Sequence, residues 1–403
     1  MAILSGKKVL LGISAGIAAY KSAFLVRLFV KAGAEVKVVM TPSAKEFVTP
    51  LTLSTLSKNE VFSTFTNEEN ENATWNNHVE LALWADFFVI APATANTLSK
   101  MANGICDNLL MATYLSAKCS VYYAPAMDLD MYKHPSVQEA FEKLAEYGNI
   151  QIPAGVGELA SGLYGEGRMA EPEEIIDFII NDITSKLPLR NKKVLITAGP
   201  TYEAIDPVRF IGNHSSGKMG YALAETAAGL GAQVILVSGP THLKTTSALV
   251  EQIAVTSAQE MYEACHAHYG EVDIAILSAA VADFRPKIKA HQKIKKDSAT
   301  LSIELEPTKD ILASLGEIKK NQLLIGFALE TENEIENAKK KLRKKNLDII
   351  VLNSLNDKGA GFGSETNKIT IISKEENAKT FDLKSKTEVA TDIFNEIIPL
   401  LNE

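Results

Sequence analysis

Apolar residues in this chain gather in short unbroken runs, each closed by glycine, proline or small polar residues. In the first half these are residues 7–12 (KKVLLG), 35–40 (EVKVVM), 86–91 (DFFVIA) and 120–124 (SVYYA). In the second half they are 192–197 (KKVLIT), 233–238 (QVILVS), 273–277 (DIAIL), 323–328 (LLIGFA) and 348–352 (DIIVL). Such short continuous runs predict strands buried on both faces, as in a parallel sheet. Elsewhere the apolar spacing changes to the three-and-four rhythm of a helix, over 17–31, 171–185 and 217–229. Strand, glycine turn, helix, strand opens both halves, the signature of a βαβ unit. The pattern predicts an α/β protein with two Rossmann-like, doubly wound parallel-sheet domains. Pro188 interrupts the polar stretch 186–191, which puts the boundary at 189, giving domains 1–189 and 190–403.

The length of 403 residues agrees with two domains. A formal net charge of -8 argues against a general nucleic-acid or membrane-surface binder, which would show a basic excess. No apolar run reaches the ~20 residues that span a bilayer. The opening residues lack the charged start of a signal peptide. Three widely spaced cysteines, Cys106, Cys119 and Cys265, form no disulfide framework. A cytoplasmic location is expected.

In open α/β sheets ligands bind beyond the carboxyl ends of the strands. In the first half those positions hold Gly12, Ser14 and Gly16, then Thr41-Pro42-Ser43, then APATANT (91–97), then PAMD (125–128). Gly12 and Gly16 depart from GxGxxG and read equally as a tight structural turn or a phosphate-binding one. Small residues let a backbone approach a flat ring, and hydroxyl and amide groups can bind phosphate or ring-edge atoms.

APATANTLSKMANGICDNL, PAMDLDM and GELASGLYGEGRM, in that order, resemble the flavin-containing cysteine decarboxylase family. The resemblance implies a flavodoxin-like domain holding FMN through Gly12, Ser14, Thr41, Thr94, Ala95, Asn96, Thr97 and Ala126. It implies His78 as the active-site base. The implied reaction oxidises the cysteinyl thiol to a thioaldehyde, releases carbon dioxide and reduces the enethiol. Two positions depart from the family pattern. Asp128 stands where PxMNxxM has asparagine, and Ser161 stands where ACG has a proton-donating cysteine. A thiol is a far stronger acid than an aliphatic hydroxyl, so Ser161 either relays a proton or only fills a glycine-rich loop, 157–167.

The second half carries ITAGPTYEAIDPVRFIGNHSSGKMGYALA, SAAVADF, KIKK and GFALET. Ser215-Ser216-Gly217-Lys218 before a helix suits an anion, or simply an N-capped helix; it is not a Walker A motif. The lysine run at 293 reads as a solvated surface or as point charges over a triphosphate. Together these motifs resemble the phosphopantothenate–cysteine ligase family, so the chain resembles the bifunctional bacterial proteins of coenzyme A synthesis. That implies CTP and Mg2+, an acyl-cytidylate, and displacement of CMP by the cysteine amine. The substrates implied are 4'-phosphopantothenate, L-cysteine and CTP. Asn213 is implied to steady the acyl-cytidylate and Lys293 to be required. Ala279, Asp283, Lys309, Asp310, Ile311, Phe327, Lys341 and Lys345 fall at nucleotide-contact positions. Homo-oligomers are implied, trimeric through the decarboxylase half and dimeric through the ligase half. The rival readings are an NAD(P)-dependent oxidoreductase, against which the missing GxGxxG in both halves counts, a flavin-binding regulatory subunit, and a ligase whose flavin-binding half is impaired in the final reduction.

Overall fold

The computed structural model describes residues 2–66, 75–295, 301–330, 332–354 and 364–401. The chain divides into two compact units, Met1–Ser185 and Lys186–Glu403.

The first unit is built on a six-stranded sheet. In chain order its strands are β1 (Lys8–Ile13), β2 (Glu35–Met40), β3 (Val61–Phe62), β4 (Phe87–Ala93), β5 (Ser120–Pro125) and β6 (Ile150–Gln151). The spatial order is β3-β2-β1-β4-β5-β6, and every pairing is parallel. This six-strand order is that of the Rossmann fold, and its five strands from β2 to β6 taken alone follow the flavodoxin order. Successive side chains of β1 point into opposite layers: Leu10 packs with Phe88, Ile90 and Leu110, and Leu11 with Phe29, Ile175 and Ile179. Both faces are therefore covered by helices, which is why the strands read as continuous apolar runs. An antiparallel hairpin, β7 (Gly155–Glu158) with β8 (Tyr164–Arg168), occupies the segment expected to be a glycine-rich loop. Gly167 lies at φ +128°, and a Cβ there would meet the Met127 carbonyl oxygen at 2.5 Å. The hairpin needs glycine because it lies so close to the strand-to-helix turn after β5.

The second unit has an eight-stranded sheet. Its strands are β9 (Lys193–Ala198), β12 (Gln233–Ser238), β13 (Val250–Ala254), β14 (Ile274–Leu277), β17 (Leu323–Glu330), β18 (Ile349–Ser354), β20 (Ile369–Ser373) and β21 (Ala378–Thr380). Short pieces between them are β10 (Tyr202–Ala204), β11 (Phe210–Gly212), β15 (Phe284–Pro286), β16 (Leu305–Pro307) and β19 (Thr366–Asn367). The sheet runs β13-β12-β9-β14-β17-β18-β20-β21. Its first six strands are parallel, and the last two are added antiparallel. Val194 and Ile196 enter one core layer and Leu195 the other. In each unit the chain reverses its winding between the first strand and its neighbour, β1 with β4 and β9 with β14. The crevices at those two reversals are the expected ligand positions.

Candidate functional site

In the first unit a cleft of ≈ 920 Å³ opens past the ends of β1 and β4. It is lined by Thr41, by Thr94, Ala95, Asn96 and Thr97, by Ala126 and Asp128, and by Ser161. Eight of the residues singled out in the sequence thus share one wall system. Thr94 precedes the helix Ala95–Asn103 without capping it through its side chain. The first N–H groups of that helix are left for an anion. Ser14 does not line the cleft. It is buried, and its Oγ donates to the Pro92 carbonyl at 2.7 Å and accepts the Thr94 N–H at 3.1 Å. Its effect is to fix the turn that presents Thr94. Gly12 also lies beneath the cleft rather than in it: a Cβ there would meet Leu110 Cδ1 at 2.7 Å. Overpacking of this kind costs about 1–3 kcal/mol, so Gly12 is needed for strand–helix packing.

These residues fit a flavin. Ala15, Gly16, Ala95 and Ala126 leave a flat wall, and the Thr41 Oγ1 is buried without a hydrogen-bond partner. An orphaned hydroxyl at the rim of a cleft is a group waiting for a ligand. Cations are present but engaged. Lys21 meets Glu171 at 2.9 Å, Arg168 meets the same carboxylate at 2.8 Å, and Lys100 meets Asp107 at 2.5 Å. The Lys21 ammonium holds the Glu171 carboxyl below the usual range, and Lys100 does the same to Asp107.

The two departures from the decarboxylase pattern meet. Ser161 Oγ donates to Asp128 Oδ1 at 3.0 Å, and the same oxygen accepts the Leu129 N–H at 2.7 Å. The hairpin is also held to this turn by the Met127 N–H on the Gly167 carbonyl, 2.9 Å. No cysteine lines the cleft. His78 does not line it either. It opens the helix His78–Trp84, behind Asn77 as cap, with its ring edge against Phe65 and its Nδ1 buried without a partner. The resemblance singles out His78 but gives no sign that it lies away from this cleft.

In the second unit a smaller cleft of ≈ 150 Å³ lies past β14, β17 and β18. Ser215 to Gly220, Ala279 and Phe327 line it, as do Asn353, Asn367 and Lys386, which no motif had marked. Lys386 is 9% exposed, and its ammonium has no hydrogen-bond or ion-pair partner among the described residues. Burial, and then the Lys218 ammonium, push its pKa down against the opposing pull of Glu365. Lys218 is paired with exposed Glu365. Two ammonium groups therefore face one carboxylate at a helix N-terminus, an arrangement that suits an anion. Asn367 Oδ1 is buried without a partner beside them.

Asn213 donates through Nδ2 to the carbonyls of Ala280 and Val281, 3.1 Å each. This ties the segment before the SSGK turn to the end of β14. Asp283 continues that strand end, and its carbonyl accepts the Thr308 N–H at 2.9 Å, which brings up Lys309, Asp310 and Ile311. Ile311 is buried, Lys309 lies over the Tyr262 ring, and Asp310 caps the next helix and pairs with Lys345 at 2.8 Å. Lys341 is paired with Glu330. None of Asp283, Lys293, Lys309, Asp310, Ile311, Lys341 and Lys345 lines the smaller cleft. Lys293 is exposed. Lys296 and Thr331, from the KIKK and GFALET motifs, lie outside the described residues.

The segment carrying Lys293 is anchored by a pair that motif reading missed. Arg209 Nη2 donates to the Ile294 carbonyl at 2.8 Å, and Asp206 Oδ2 accepts the Ile294 N–H at 3.2 Å. Burial alone would raise the Asp206 carboxyl. Arg209 and the N–H groups of Val208, Arg209 and Ile294 outweigh it and hold the carboxyl well below its usual range. The i, i+3 spacing of Asp206 and Arg209 across Pro207 was the signal available in the sequence. No three His, Cys, Asp or Glu side chains converge as metal ligands among the described residues. No helix among them is long and apolar enough to cross a membrane.

Comparison with known proteins covers both units. A family model described as Flavoprotein matches residues 3–184, and one described as DNA/pantothenate metabolism flavoprotein C-terminal domain matches 189–400. A protein of an unknown prokaryotic organism, named cysteine/cysteine sulfinic acid decarboxylase, is 56% identical over 360 residues, 88% of this chain and 100% of its own. The coenzyme A biosynthesis bifunctional protein CoaBC of Bacillus subtilis (strain 168) is 47% identical over 400 residues, 99% of this chain and 98% of its own. The protein of that name from Vibrio vulnificus (strain YJ016) is 45% identical over 404 residues, 100% of both chains. With both units matched and full-length identity this high, the chain belongs to the family of bifunctional coenzyme A biosynthesis proteins.

Proposed function

We propose that the chain carries out two consecutive steps of coenzyme A synthesis. Residues 190–403 ligate L-cysteine to 4'-phosphopantothenate with CTP and Mg2+, through an acyl-cytidylate. Residues 1–189 decarboxylate the product to 4'-phosphopantetheine with FMN. The observation that carries this reading is the 47% identity to a bifunctional relative across 99% of the chain.

In the first unit Thr41, Thr94, Ala95, Asn96, Thr97 and Ala126 hold the flavin, with Ser14 fixing Thr94 and Gly12 packing beneath. FMN, when bound, would supply the two-electron oxidation of the cysteinyl thiol and, after loss of carbon dioxide, the two-electron reduction of the enethiol. His78 acts as the base in the cleft of a neighbouring copy, because it stands away from the cleft of its own chain. Exposed Val79 and Leu83, spaced by one helical turn on its helix, suit contact with such a copy. In the second unit Asn213 steadies the activated carboxylate, Lys293 meets developing phosphate charge, and Lys218 with the N–H groups of the SSGK turn hold the nucleotide's phosphates. The remaining nucleotide contacts proposed are Ala279, Asp283, Lys309, Asp310, Ile311, Phe327, Lys341 and Lys345.

A second reading concerns the substrate of the first unit. The 56% identical relative is named for cysteine and cysteine sulfinic acid, and Asp128 and Ser161 both depart from the phosphopantothenoylcysteine pattern. On that reading the flavin cleft acts on the free amino acid. Anaerobic titration separates the two. Phosphopantothenoylcysteine bleaching the flavin of the purified chain supports the first, bleaching by cysteine alone supports the second, and no bleaching by either removes the decarboxylase assignment.

A further inference from the structure

We infer that Lys386 is a phosphate ligand, an ammonium left unpaired in the free protein that meets the phosphate tail of the nucleotide in the cleft of the second unit. This deepens the ligase reading and rests on it. Lys386 is the first residue of the helix Lys386–Ile397, behind Ser385 as cap. Three features of that position act against a cation. The residue is buried, and burial disfavours a charge without a counter-charge. It stands at the positive end of a helix dipole. A second ammonium, that of Lys218, shares the cleft, and after burial itself it is the next cause pushing the Lys386 pKa down. The protein offers little in return. Lys218 and Lys386 are the charged residues of the lining, and among the described residues no Asp or Glu lines the cleft. Glu365 pulls the other way, but it is exposed and already paired with Lys218. Glu388, in the first turn of the same helix, is engaged by the Ser385 hydroxyl and N–H.

A cation held where it weakens the free fold is there for a ligand. Three observations say which. The helix Lys218–Gly229 also starts at this cleft, behind Gly217 and without a side-chain cap, so two helix N-termini and two ammonium groups converge on one space. That much positive potential matches a polyphosphate better than the single phosphate of 4'-phosphopantothenate. The volume of ≈ 150 Å³ is about five times the ~30 Å³ of one water, room for phosphate groups but not for a base, a sugar and three phosphates together. Asn367 Oδ1, buried in the same lining without a partner, calls for a donor, and a sugar hydroxyl of the same ligand supplies one.

The test compares the full chain with its Lys386→Met variant. Titration calorimetry reads the binding of inorganic pyrophosphate with Mg2+ present. Scanning calorimetry reads the melting transition that pyrophosphate raises in the wild-type chain. Lys386→Met is expected to bind pyrophosphate at least about tenfold more weakly, the loss of one charge-assisted hydrogen bond. Without ligand, the variant is expected to melt at a higher temperature than the wild type, because the unpaired buried charge is gone. In steady-state ligation its kcat/KM for CTP is expected to fall at least about tenfold, with KM for 4'-phosphopantothenate within about twofold of wild type. A lower melting temperature of the ligand-free variant marks a structural lysine and overturns the inference. So does unchanged pyrophosphate affinity. A raised KM for 4'-phosphopantothenate with unchanged CTP kinetics gives the cleft to the other substrate's phosphate and overturns it too. The ligase reading fails separately. A wild-type chain that binds pyrophosphate through Lys386 but forms no cysteine adduct with CTP sinks the ligase assignment alone. Adduct formation at an unchanged kcat/KM for CTP in Lys386→Met sinks this inference alone.

Discussion

Single side chains in the first unit carry separable roles. His78 stands outside its own chain's cleft, and the helix it opens is capped by Asn77 through the Val79 and Glu80 N–H groups, so the cap does not depend on the histidine. His78→Asn is therefore expected to retain flavin and fold while lowering decarboxylation by at least about 10²-fold, the usual worth of a positioned general base. Ligation should continue at the wild-type rate. Parallel assays of the two half-reactions on one preparation check this, and a joint loss would contradict separate sites. Ser161 is a hydrogen-bond donor to Asp128 at 3.0 Å, so its proton is turned away from the rest of the cleft. Ser161→Ala is expected to leave the rate of flavin reoxidation unchanged within about twofold, whereas Ser161→Cys, which restores a thiol of pKa about 8.5, is expected to speed it. Stopped-flow absorbance reads both variants. A marked slowing in Ser161→Ala would return the serine to the proton path.

At the scale of elements, the segment bearing Lys293 is held by Asp206 and Arg209. Asp206→Asn removes the ion pair at a side chain that is fully buried. It is expected to raise the KM for CTP about tenfold with a smaller change in kcat, because it displaces a charged loop rather than a reacting group. The Asp206 carboxyl is depressed in the fold, so its contribution to stability is complete above the unfolded value of about 4 and fades as pH falls towards the folded one. Thermal melts across acid pH should show the wild-type chain losing that advantage over Asp206→Asn as pH drops. An unchanged KM together with parallel melts would contradict the anchoring. Strands β1, β2, β4, β5, β9, β12, β14, β17 and β18 were legible because burial on both faces writes an unbroken apolar run. Strands β13 and β21 were not. Val250–Ala254 and Ala378–Thr380 lie at sheet edges with mostly exposed side chains, and an edge strand needs no apolar face. The hairpin of β7 and β8 looks like a loop in the sequence because glycine weakens strand signals, although Gly165 and Gly167 are there for close packing on Leu129 and Met127. The rim motifs around Thr94 and Ala126 were legible for the same reason as the strands they follow. Lys386 and Asn367 were not, since only the folded sheet brings them to Lys218 and Phe327.

On the scale of the whole molecule, each half has its own sheet, its own reversal of winding and its own cleft, so two chemistries can coexist on one chain. The first unit leaves Ile17, Tyr20 and Phe24 exposed at three- and four-residue spacing, with relative exposures of 64%, 51% and 59%; Ile17 and Tyr20 stand at the lip of the flavin cleft and Phe24 outside it. An apolar stripe of this kind is expected to be covered by another copy. Sedimentation should show an assembly larger than one chain. Phe24→Glu, which puts a charge into that stripe, should shift it to smaller species and lower decarboxylation with it, since His78 is proposed to serve a neighbouring cleft. Full decarboxylase activity in a monomeric variant would contradict that. The central claim, two consecutive steps on one chain, is tested most directly by incubating the full-length protein with 4'-phosphopantothenate, L-cysteine, CTP and Mg2+ and following the products by mass spectrometry. The account predicts a CTP-dependent cysteine adduct, followed by its conversion to a product that has lost carbon dioxide. Absence of the adduct, or an adduct that accumulates without losing carbon dioxide while flavin is bound, would contradict it.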